Sequence, residues 1–258
     1  MKINLRSRAA LALIAVSTLA GSVTGCGSPD ATNGSKNLTV YAAASLKSTF
    51  TEIGKKYEAD NPGSKVEFSF DGSSHLLTQL TQGARADVFA SADTANMDKA
   101  AAAGLLVGSP VDFASNTLMI VTRPGNPSHI STFADLTRSG LSVVICAKPV
   151  PCGSATQKVA SQLHLTLNPV SEETSVTDVL NKVTSGQADA GVVYRTDAIV
   201  AGDKVSPVEF SAAADAVNKY PIAVLKSTSD NAAANRFVQL VTGEVGQKIL
   251  QKAGFAKP

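Results

Sequence analysis

The sequence predicts an α/β fold of two lobes around a cleft, on three observations. Short apolar runs alternate with amphipathic segments from about residue 38 to the end. Several of the junctions between them carry small or hydroxylated residues instead of bulky ones. And more than ten elements in about 220 residues divide better over two sheets than one.

The elements follow in order. Leu38–Ala43 reads as a strand, and Leu46, Phe50, Ile53 and Tyr57 recur at helical spacing, so an amphipathic helix is expected from Ser45 to about Ala59. Asn61–Gly63 stops it. Val66, Phe68 and Phe70 alternate as a strand, and Leu76, Leu77 and Leu80 begin a second helix that ends near Gly83. Ala86–Ser91 is a third strand, and a third helix runs from Asp93, as cap, to Gly104. Strands are expected at Asn116–Thr122 and Leu141–Ala147, and a helix at Cys152–Leu163. Val176, Val179, Leu180 and Val183 mark another helix, stopped at Gly186. Ala190–Tyr194 and Tyr220–Lys226 are strands, and one last helix is expected from Asn231 to Ala253. Strands alternating with helices call for parallel sheets covered on both faces. The expected division puts 38–116 and 220–258 in the first lobe and 119–217 in the second. The chain thus crosses twice, and the crossing makes a hinge.

Hydrophobic residues make up 44% of the 258-residue chain and charged residues 17%, which specifies a packed core and not disorder. Residues 1–25 read as an export signal: Lys2, Arg6 and Arg8 precede an apolar run, Ala9–Ala20, too short to span a bilayer comfortably. The small residues before Cys26 resemble a bacterial lipobox, which implies cleavage there and lipid on Cys26. Ordinary signal cleavage nearby, leaving Cys26 a free thiol, is the alternative. A lipid anchor would hold the chain at the outer face of the cell membrane, with 26–37, small and polar, as a flexible tether. Removing residues 1–25 takes Lys+Arg from 23 to 20 against 21 acids, for a net charge of −1. With no basic field and no Trp, nucleic acid is not an expected partner. Cys146 and Cys152 lie close enough for a disulfide across a tight loop in an exported protein. A metal site is the alternative, with no His or third Cys beside them.

Ligands of α/β sheets sit beyond the carboxyl ends of strands, where helices begin with unpaired N–H groups and partial positive charge. Four junctions or helix starts here are small or hydroxylated: "AAAS" at Ser45, "DGSS" at Ser73 and Ser74, "VPCGS" at Cys152–Ser154 and "ETSV" at Thr174–Val176. Each alone is ordinary capping. Together, in an exported two-lobed chain, they keep a small ligand close to the backbone and suit an anion.

The segments "VYAAASL", "FDGSSHL", "ADVFASAD", "AGVVYRTDA" and "YPIAVL" stand in the order of the periplasmic molybdate-binding protein family, which the chain resembles over about 38–257. The resemblance implies a type II periplasmic binding protein fold: two mixed, mostly parallel sheets with the ligand cleft between them. It implies a monomeric, non-enzymatic receptor that takes molybdate or tungstate as cargo, needs no cofactor, and delivers to an ABC permease and ATPase complex. Position by position, it carries the ligand role to Ser45 and Ser73 through side chain and backbone, to Cys152 and Val176 through backbone N–H groups, and to the Tyr194 hydroxyl. The chain departs from the family at Cys152, where a small residue such as Ala is usual, and matches only loosely around Val176.

A tetrahedral dianion without a proton suits a site made only of donors, since a buried carboxylate would repel it. Lys148 and Arg195 are read as solvated, Asp87 as structural and Asp93 as a cap. Other readings stand beside this one, among them a purely structural lipoprotein, against which the small residues at the cleft argue. A hydrolase built on "GSSH" lacks a G-x-S-x-G elbow, and His75, His129 and His164 stand in unrelated contexts. A receptor of the same fold for another solute, such as sulfate, thiosulfate or a chelated metal ion, is another; a metal receptor would bring clustered ligands that the sequence does not show.

Overall fold

Leu38, Val40 and Ala42 alternate inward along strand β1 (Lys36–Ala43), and all three are buried. The computed structural model describes residues 36–258; the expected signal segment, Cys26 and the tether up to residue 35 lie outside the described residues. After a short 3₁₀ turn at Ala44–Leu46 come α1 (Lys47–Asp60), β2 (Ser64–Asp71), α2 (Ser73–Thr81), β3 (Val88–Ala90), α3 (Thr94–Ala102) and β4 (Leu106–Asn116). The chain then passes through β5 (Leu118–Thr122), β6 (Val143–Cys146), α4 (Pro151–Gln162), β7 (Ser171–Glu173), α5 (Val176–Thr184), β8 (Ala190–Tyr194), α6 (Arg195–Ala201) and β9 (Ser206–Val208). It returns as β10 (Asn218–Leu225), α7 (Asn231–Thr242) and α8 (Glu244–Lys252).

The strands form two sheets of five, ordered β2-β1-β3-β10-β4 and β7-β6-β8-β5-β9. Each has a parallel trio and an antiparallel pair. β1 runs parallel to β2 and β3, and β6 to β7 and β8. β10 opposes β3 and β4, and β5 opposes β8 and β9. The antiparallel members depart from the purely parallel reading for a topological reason. β5 and β10 arrive from the other sheet, so they start at the edge where the parallel strands end.

Phe50, Ile53 and Tyr57 are fully enclosed, as their helical spacing predicts. Phe50 meets Phe113 and Phe237 with ring centroids 5.8 and 5.9 Å apart, so the returning helix α7 closes the core begun by α1. Asp93 caps α3 by accepting from Asn96 N at 2.9 Å, and the Asp87 carboxylate accepts from Thr39 N at 2.7 Å, tying β3 to β1.

Four elements give weak sequence signals. β4 carries Gly108 and Pro110 and is half exposed, but it is an edge strand, where Pro is tolerated. β7 and β9 are three-residue polar edges, and α6 has seven residues. The single last helix expected at 231–253 is two, broken at Gly243. Gly246 lets α8 fold back on the end of α7: a Cβ there would lie 2.3 Å from the Leu240 carbonyl oxygen and 2.5 Å from that of Val241. Gly246→Ala is therefore expected to destabilise by about 1–3 kcal/mol despite the better helix propensity of Ala, read as a lowered melting temperature.

Candidate functional site

Five helix or turn starts face one another between the two sheets. From the first sheet come Ser45, in the turn after β1, and Ser73, the first residue of α2. From the second come Cys152 in the first turn of α4, Val176 opening α5, and Tyr194 ending β8. All five line a single cavity together with Ala43, Ala44, Asp71, Gly72, Ala92, Val150 and Pro151. It is small, and much of its wall is Ala, Gly and Ser. The small residues noted in the sequence are what bring the backbone this close.

The first N–H groups of a helix have no carbonyl within that helix to bond, so the turns that carry Ser73, Cys152 and Val176 present donors. The side chains are held to do the same. Ser73 Oγ accepts from Ala92 N at 2.9 Å, which leaves its proton for the cavity. Tyr194 Oη accepts from Asn218 Nδ2 at 3.0 Å. Ser45 Oγ lies 3.0 Å from Tyr220 Oη. Burial pushes both tyrosines well above the usual phenol range, so both remain protonated donors.

No Lys or Arg lines the cavity, and Lys148 and Arg195 are exposed away from it. Its one ionisable acid is Asp71, whose oxygens are taken up by Gly72 N at 2.7 Å and His75 Nδ1 at 2.6 Å. His75, His129 and His164 are exposed on separate segments. Among the described residues no group of three or more His, Cys, Asp or Glu could hold a metal ion.

Cys146, the last residue of β6, is joined to Cys152 by a disulfide, with 5.7 Å between Cα atoms. The loop it closes packs hard on the first turn of α4: a Cβ on Gly153 would lie 2.1 Å from the Ala147 carbonyl oxygen. The bridge thus fixes the backbone that presents the Cys152 N–H.

The two halves touch across the cavity. Asn96 Nδ2 reaches the Pro149 carbonyl at 3.4 Å, and Asn218 Nδ2 donates both to Ala92 O at 2.8 Å and to Tyr194 Oη. Gly72 packs so close to the second sheet that an added Cβ would sit 2.1 Å from the Thr174 carbonyl oxygen.

Residues 38–256 match the family of bacterial extracellular solute-binding proteins. The molybdate-binding protein ModA of Mycobacterium tuberculosis is 59% identical over 227 residues, 88% of this chain and 87% of that one. The chain belongs to the bacterial extracellular solute-binding protein family. Among solved structures, the periplasmic molybdate-binding protein of Azotobacter vinelandii aligns at a TM-score of 0.75 and 24% identity, over 86% of this chain and 99% of that one. The sulfate-binding protein SubI of Mycobacterium tuberculosis aligns at 0.71 and 19%, over 86% and 87%. At these identities the likeness is of fold, and it is the two-lobed α/β fold expected from the sequence.

Four buried residues around the cavity were not singled out by sequence reasoning: Asn116, Asp197, Asn218 and Tyr220. Asp197 and Tyr220 fall inside quoted motifs, "AGVVYRTDA" and "YPIAVL", but nothing in composition distinguishes them from ordinary caps and core. Burial raises Asp197 from 3.8 to about 7, opposed by the hydrogen bond it accepts from Tyr194 N at 3.1 Å. An acid whose folded pKa is raised binds protons more tightly in the native state, so its ionisation destabilises the fold. Stability is expected to fall as pH rises from about 4 to about 7 and to level off above that. Asp197→Asn should remove this slope, read as the melting temperature against pH in both proteins.

Proposed function

We propose that this chain is an extracytoplasmic receptor for molybdate, with tungstate as a second ligand, that hands the anion to an ABC permease and ATPase complex. One observation carries the reading: Ser45, Ser73, Cys152, Val176 and Tyr194, drawn from both sheets, line one small cavity rich in donors and free of cations. The relative named for molybdate binding, 59% identical over most of the chain, supports the choice of anion. In this reading 38–116 with 220–258 form one lobe and 119–217 the other, which is supported by two sheets whose strands are drawn from 36–116 with 218–225 and from 118–208. In this reading Cys26 carries the lipid that holds the receptor at the outer membrane face, and the receptor acts as a monomer without catalysis.

Binding works by replacing water with fixed donors. Ser45 and Ser73 give hydroxyl and backbone protons, Cys152 and Val176 give backbone N–H groups, and Tyr194 gives a phenol proton. Hydrogen bonds to a charged acceptor contribute about 1.5–3 kcal/mol each, and the helix starts add their partial positive charge. Because the donors come in two sets, from opposite lobes, only the closed form satisfies all the oxygens. The anion therefore favours closure by its differential affinity, and the closed surface is what the permease would read. Selectivity follows from size: sulfate is also an aprotic dianion, but smaller, and would be held loosely.

Titration calorimetry on the soluble form lacking residues 1–26 is expected to show one-to-one binding of molybdate and tungstate, with sulfate and phosphate weak or silent. Ser45→Ala and Ser73→Ala should each weaken molybdate by about 1–3 kcal/mol. Preference for sulfate would redirect the reading to another oxyanion, and near-normal affinity in both variants would misplace the site.

Gly72→Ala separates closure from contact. Gly72 has φ −59, so its backbone accepts alanine, while the Thr174 carbonyl leaves no space for the Cβ when the lobes are together. The variant should fold with an unchanged melting temperature in the absence of anion, yet bind molybdate at least about tenfold more weakly, a loss of roughly 1.4 kcal/mol. Unchanged affinity would show that closure does not use this contact.

A further inference from the structure

We propose that the Cys146–Cys152 bridge links anion affinity to redox state: the bridged protein is the tight binder, and reduction of the bridge by a dithiol weakens its hold. The proposal rests on the anion-receptor reading above.

The bridge stands where the second sheet's half of the molecule meets both the cavity and the first half. Pro151 opens α4 without an N–H, so the Cys152 N–H is the first donor of that helix. The bridge closes the loop Ala147–Pro151. Val150 and Pro151 of this loop line the cavity beside Cys152. The Pro149 carbonyl accepts from Asn96 Nδ2 across the seam at 3.4 Å. Val150 Cγ1 would lie 3.3 Å from a Cβ on Gly72. One loop thus carries an anion donor, part of the cavity wall and a contact between the halves. Within it, Ala147 N donates to Glu173 O at 2.8 Å and Val150 N to Ala147 O at 2.9 Å, while Pro149 and Pro151 have no N–H to give. Much of the work of holding α4 to the end of β6 therefore falls to the covalent link.

Reduction cannot leave this arrangement as it is. A bridge holds its sulfurs at bonding distance, and two thiols, as non-bonded atoms, must stand further apart. Cys146 and Cys152 are both buried. The backbone beside them is already in contact: a Cβ on Gly153 would lie 2.1 Å from the Ala147 carbonyl oxygen and 2.5 Å from that of Cys146. The cavity is open space next to Cys152, so the first turn of α4 shifts toward it, and the Cys152 N–H and Val150 move with that turn. The step balances with the dithiol alone. The S–S bond breaks, each cysteine sulfur gains a hydrogen, and the dithiol closes into its own disulfide.

The test is molybdate affinity by calorimetry on the form lacking residues 1–26, where the bridged pair are the only cysteines. Four samples are compared: the bridged protein, the same protein reduced with dithiothreitol and freed of it, that protein reoxidised, and Cys146→Ser with Cys152→Ser, which keeps the N–H at position 152. The reduced and doubly substituted forms are expected to bind about tenfold more weakly or worse, and reoxidation to restore the affinity. A bridge that only stabilises the fold would lower the melting temperature of the anion-free protein and leave affinity, measured well below the melt, unchanged; that result overturns the proposal. If these forms do not fold, Cys146→Ala with Cys152→Ala, which removes the crowding of two thiols, tests the tie alone: weaker binding supports the proposal and unchanged binding overturns it. A bridged protein that does not bind molybdate removes the receptor reading itself, an outcome distinct from a receptor whose affinity is the same in both redox states.

Discussion

A dianion taken out of water needs a donor at every oxygen, because each unmet lone pair and each nearby negative charge is felt at low dielectric. One helix start cannot supply that shell, since its free N–H groups point in one direction. Two sheets whose strands end at a common seam can, because each contributes several helix starts aimed at the same point. The architecture follows from this requirement. The parallel trios β1–β2–β3 and β6–β7–β8 end at the cavity; the segments after β1, β2, β6 and β7 carry Ser45, Ser73, Cys152 and Val176, and Tyr194 ends β8 itself. Ala43, Ala44 and Ala92 stand where a larger side chain would fill the cavity.

The chain crosses between the two sheets at the same seam. The chain leaves the first sheet after Asn116 and re-enters it at Asn218, and these two asparagines are direct partners in the β4–β10 ladder. Each sends its amide into the second lobe, Asn116 to Thr196 and Asn218 to Tyr194. Thr196 and Tyr194 flank the start of α6. The crossing strands are thus coupled to the site: a rotation of one lobe that alters the pair Asn116–Asn218 also alters what backs the cavity hydroxyls.

Much of this was legible in the sequence, and the reasons are specific. Leu46, Phe50, Ile53 and Tyr57 declare α1 because a helix packed on one face needs that spacing. Small residues at the strand ends pointed to the junctions, and the five lining residues were placed by resemblance to a family pattern, position by position. The edge strands β4, β7 and β9 were not legible, since an edge faces solvent on one side and need not be apolar. The antiparallel entry of β5 and β10 was hidden because strand direction is a property of the whole path, not of any segment. Asn116, Asn218 and Tyr220 were missed for a different reason. They matter through hydrogen bonds to residues over 100 positions away in sequence, Asn116 to Tyr220 and Asn218 to Ala92.

Acids around the cavity sharpen the physical picture. Asp71, Asp93 and Asp197 all lie near an anion site, which Coulomb repulsion alone would forbid. Asp71 spends its oxygens on Gly72 N and His75. Asp93 spends its own on the α3 cap and Asn96, although burial still raises its pKa. Asp197 is the exception, with Tyr194 N its one hydrogen bond and a pKa lifted to about 7. Adding a dianion close by can only raise it further, since a like charge disfavours ionisation. Affinity is then expected to fall as pH rises from about 7 through the raised pKa of the bound form and to level off above it, read as molybdate affinity against pH in wild type and Asp197→Asn. The group that would set such a dependence is a buried cap at the start of α6 and not a lining residue.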